Sequence, residues 1–85
     1  MTNIERCKLL ISQAENFKDS VDSIDILITS HIVAAIDLIA IGDEFDDIRK
    51  KAGLIRQEMY NKSRNERDLY VQVSSIFCYG ERPMF

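Results

Sequence analysis

His31 is the single histidine of this 85-residue chain, so any imidazole acid–base step would rest on it. A general base also needs a substrate cleft and a carboxylate that orients its ring. On a helix, Asp25 and Asp37 point roughly 120° away from His31, so neither serves it locally. Leu27, Ala35 and Leu38 share its side instead, and the spacing reads as a packed or interface histidine. Asp43-Glu-Phe-Asp-Asp47 gathers carboxylates at a helix start, where the macrodipole already favours them. A calcium loop would need alternating acids, a central glycine and a distal bidentate glutamate, which this segment lacks. Cys7 and Cys78 lie near opposite ends without a Cys-x-x-Cys spacing, which gives neither a disulfide framework nor four zinc ligands. No glycine-rich phosphate loop, Gly-x-Ser-x-Gly elbow or His-Glu-x-x-His pair occurs. The expectation is a protein that is not an enzyme and takes no cofactor or metal.

The arginines are more informative. Residues 1–47 carry ten acids against three bases, a net of −7, whereas residues 48–85 carry eight bases against four acids, a net of +4. The overall charge of −3 therefore conceals a polarised molecule, suited to pairing between copies or to facing phosphate. Arg49, Arg56 and Tyr60 fall on one shoulder of a helix, and Arg64 and Arg67 open the next one, where free amides favour an anion. With Tyr70, Arg82 and Phe85 these residues form the expected ligand or partner surface, because arginine and tyrosine dominate interfaces.

One proline and three glycines leave long uninterrupted stretches, which predicts an all-α fold. Composition is ordinary for a globular chain, at 46% hydrophobic and 29% charged, and excludes disorder. Three to four helices are expected at about 3–18, 21–41, 44–61 and 64–79, in a single helical domain over 1–80 with a short tail over 81–85. Thr2-Asn-Ile-Glu5 fits a capping box, and Ser63-Arg-Asn-Glu66 repeats the pattern. Cys7, Leu10, Ala14, Phe17, Val21, Ile24 and Ile28 recur at spacings of three and four. The first two segments are therefore either one helix from about 3 to 41 or two helices that meet near Asp19-Ser20. Gly42 is the expected stop and Asp43 the next cap. Phe45, Ile48, Ala52, Ile55 and Met59 form the apolar stripe of the third helix; Leu69, Val73, Ile76 and Phe77 form that of the fourth.

The segment Ile24–Ile41 is apolar nearly all round. Ile24, Leu27, His31, Ala35 and Leu38 make one broad face, while Ile26, Val33, Ile36 and Ala40 lie opposite among Asp22, Asp25, Thr29 and Asp37. Its Ile and Val content also suits a strand, but strict alternation is missing and Ala34-Ala35 and the length favour a helix. A membrane span is rejected because a central aspartate such as Asp37 costs roughly 2.5–3.5 kcal/mol on insertion. A helix this apolar must be covered on several sides, and three short helices do so only barely, so a homo-oligomer is expected.

Asp19-Ser-Val-Asp22 resembles the Asp-Ser-Leu-Asp tetrapeptide of acyl carrier proteins, whose serine bears a phosphopantetheine arm. The likeness spans four residues. Phe17-Lys18 replaces that family's Leu-Gly, only 19 residues precede Ser20, and the basic second half departs from such a carrier. Read from its surroundings, Ser20 is a helix cap.

Charge at Glu5, Arg6 and Lys8, where an export signal needs apolar residues, leads to the expectation of a cytoplasmic protein. The functional expectation is a small helical protein that self-associates and inhibits or sequesters a host or cognate protein. Phage anti-defence proteins, antitoxins and immunity proteins share this size and charge class. The alternative is a binder of a phosphorylated small molecule or nucleic acid through the basic hairpin; the third is a structural oligomer without ligand.

Overall fold

A computed structural model describes residues 1–80, so the expectations placed on the 81–85 tail, Arg82 and Phe85 lie outside the described residues. Four helices follow one another: α1 (Asn3–Phe17), α2 (Ser23–Ile39), α3 (Asp46–Ser63) and α4 (Arg67–Gly80), with no strand among the described residues. The fold is the small all-α bundle that the sequence predicts. Of the two readings for its first half, the two-helix one holds.

α1 starts where local chemistry dictates. The Thr2 hydroxyl accepts from the Glu5 amide at 3.2 Å, and the Glu5 carboxylate accepts from the Thr2 amide at 2.9 Å. This reciprocal capping box also holds the Glu5 carboxyl below its ordinary pKa, chiefly through the Thr2 backbone hydrogen bond. The helix stops at Phe17, and Asp22 caps α2 by accepting from the Ile24 amide at 2.8 Å. Ser20 is therefore not the capping residue. Its hydroxyl accepts from the Asp22 amide at 3.1 Å and donates to Asp25 at 2.7 Å, which stiffens the turn.

Lys62 completes that turn from 42 residues away. Its ammonium donates to the carbonyls of Lys18 and Ser20, the latter at 3.0 Å. Carbonyls at a helix C-terminus lack intrahelical partners and carry the negative end of the dipole, so a lysine there satisfies both needs.

α2 ends at Ile39, and Gly42 follows with φ +120° and ψ 162°. That region is open essentially to glycine alone, and a Cβ here would also lie 3.2 Å from the Glu44 carboxylate. Gly42→Ala is expected to cost about 1–3 kcal/mol, read as a lower midpoint in urea unfolding. A 3-10 turn over Asp43–Phe45 then leads into α3, so Asp43 is not the helix cap expected of it; Phe45 occupies that position without a side-chain bond. α3 runs past residue 61, its expected end, as far as Ser63. The second capping box does not form, because Ser63 is buried in the last turn of α3 and donates to the Tyr60 carbonyl at 3.0 Å.

α2 packs against all three other helices, and α3 bridges α1 and α4. Links of three to six residues (18–22, 40–45 and 64–66) keep consecutive helices packed against each other. Cys7, Ile11 and Ala14 of α1 meet Ile26, Val33 and Ile36 of α2 in the core, with Phe45, Ile48, Ala52, Ile55 and Met59 and with Leu69, Val73 and Phe77. The stripes of α3 and α4 bury as expected, except that Ile76 is half-buried. The long heptad run does not survive: after Ala14, the residues Phe17, Val21, Ile24 and Ile28 are exposed, because the chain reverses at 18–22.

Of the two apolar sides read on α2, the one that faces inward carries Ile26, Val33, Ile36 and Ala40, together with Thr29 and Ser30. Both hydroxyls donate to their own helix at 2.8 Å, Thr29 to the Asp25 carbonyl and Ser30 to the Ile26 carbonyl, so burying them leaves no donor unsatisfied. The bundle measures 36 × 35 × 18 Å between Cα extremes, a depth of about two helix layers. Among the described residues, no helix is laid over the His31 side of α2.

Candidate binding surface

The expected basic surface divides into parts with different roles. Arg49 donates to the Ala40 carbonyl at 3.0 Å and pairs with Asp46, so it closes the C-terminus of α2 and the first turn of α3. Arg56 pairs with Asp37, with both side chains largely shielded from solvent. Its guanidinium carbon also sits 5.6 Å from the centre of the Phe77 ring, and its Nε is buried without a hydrogen-bond partner. Asp37, unpaired on its own helix, thus finds its cation on α3. Tyr60 is half-buried between Tyr70 and Phe77, at ring separations of 5.8 and 5.2 Å. Three of the predicted site residues are therefore joints between helices.

Arg64, Arg67 and Tyr70 remain on the surface at the start of α4. Arg64 leans on the Asn61 side chain at 3.4 Å. Glu66 and Asp68 flank Arg67 at the same helix start and compete there with any incoming anion. The structure brings together three residues of the predicted site at this edge and engages three others in contacts within the fold.

A more extensive feature runs along α2. Val21, Ile24, Leu38 and Ile41 are 84, 67, 64 and 75% exposed, and Ile28 and His31 are exposed between them. Leu27 and Ala35 are half-buried on the same side. The sequence had placed Ile24, Leu27, His31, Ala35 and Leu38 on one face; the structure keeps that face and turns it outward. At its C-terminal end the face runs into an open groove of about 570 Å³, where Leu38, Ile39 and Ile41 meet Ile4, Phe45 and Glu44.

Among the described residues, no group of three or more His, Cys, Asp or Glu side chains is placed to hold a metal. The cysteines are free: Cys78 is exposed, and burial pushes the Cys7 thiol above its ordinary pKa. No helix among the described residues is long and apolar enough to cross a membrane. Fold and surface together define a small four-helix bundle with one apolar helix face turned to water. Compared with protein-family models, curated proteins and solved structures, the chain matches none.

Proposed function

We propose that this chain works by binding rather than by catalysis: it self-associates, and the assembled unit holds a partner protein in a stoichiometric complex. The observation that carries the reading is the outward apolar face of α2. Fully burying one aliphatic side chain is worth about 1.5–3 kcal/mol, so several in a row strongly favour a cover. Contiguous apolar patches on small proteins mark interaction sites, whereas isolated exposed aliphatics do not. Between Ile24 and Leu38 the only charged side chains, Asp25 and Asp37, are tied to Ser20 and Arg56, so an apolar partner meets no loose charge. The edge with Arg64, Arg67 and Tyr70 is left for the second protein. A phosphate-binding role has less support, because Arg49 and Arg56 are engaged within the fold.

Sedimentation and native mass spectrometry between about 1 and 500 μM test this, since apolar interfaces of modest area dissociate in the micromolar range. The wild-type chain is expected to populate a homo-oligomer. Ile24→Glu and Leu38→Glu are expected to be monomeric with unchanged helicity, because both side chains are exposed. A wild-type monomer throughout, or variants that still associate, would overturn the reading.

A further inference from the structure

We draw no further inference here: the strongest candidate, the exposed apolar face of α2 that runs from Val21 to Ile41 into the groove beside Glu44 and Phe45, carries nothing more, because nothing in the structure shows what covers it.

Discussion

Truncating Phe77 to alanine is expected to lower stability by about 3–5 kcal/mol, the usual cost of emptying a buried aromatic position. The ring is 1% exposed and is the largest of the fully buried side chains. It joins α4 to α3, lying 5.2 Å from the Tyr60 ring and 5.6 Å from the Arg56 guanidinium. Its removal would leave a cavity and take the aromatic surface from Tyr60 and from the Arg56 guanidinium. A domain of this length has only about 4–13 kcal/mol in total, at 0.05–0.15 kcal/mol per residue, so the loss is a large fraction. In calorimetry the melting temperature should fall by about 15–30 °C. Val71→Ala on the exposed side of the same helix should shift stability by no more than about 0.5 kcal/mol. Equal effects at the two positions would show that α4 does not pack by the face described.

Removing Asp37 should have the next largest effect. Its carboxylate is the ion-pair partner of Arg56, and that guanidinium already has a buried Nε without a hydrogen bond. Asp37→Ala would strand a largely shielded cation between α2 and α3. Fully buried pairs lose about 3–5 kcal/mol when one partner is deleted. Residual solvent at both side chains reduces this to about 2–3 kcal/mol. A double-mutant cycle of Asp37→Ala and Arg56→Ala in urea should yield a coupling of at least about 1 kcal/mol. Additive losses would mean that the two groups do not act as a pair. The same cycle bears on function, since an Arg56 that served a ligand instead would couple to that ligand and be indifferent to Asp37.

Much of the architecture was legible because it depends on neighbours in sequence. The Thr2–Glu5 box works within one turn, so its residue types suffice to locate the start of α1. The stripes on α3 and α4 are amphipathic with one apolar side each, and such helices have a single way to face a core. Ser63 shows the limit of the approach: its pattern was right for a cap, yet the helix before it continued and took the hydroxyl into its own last turn. Lys62 went unnoticed as a joint because nothing near it in the chain signals the carbonyls of Lys18 and Ser20.

The sequence by itself determined that the chain is helical, that a break falls at Gly42, and that its central segment is apolar nearly all round. Only the tertiary structure decided which side of α2 goes inward. Two apolar faces compete there. The inward one can bury Thr29 and Ser30 because their hydroxyls are satisfied on their own backbone, and Asp37 meets Arg56, nineteen residues away. The physical reason is that a buried polar group is judged by the partners it finds, and those partners are set by folding rather than by adjacency in the chain.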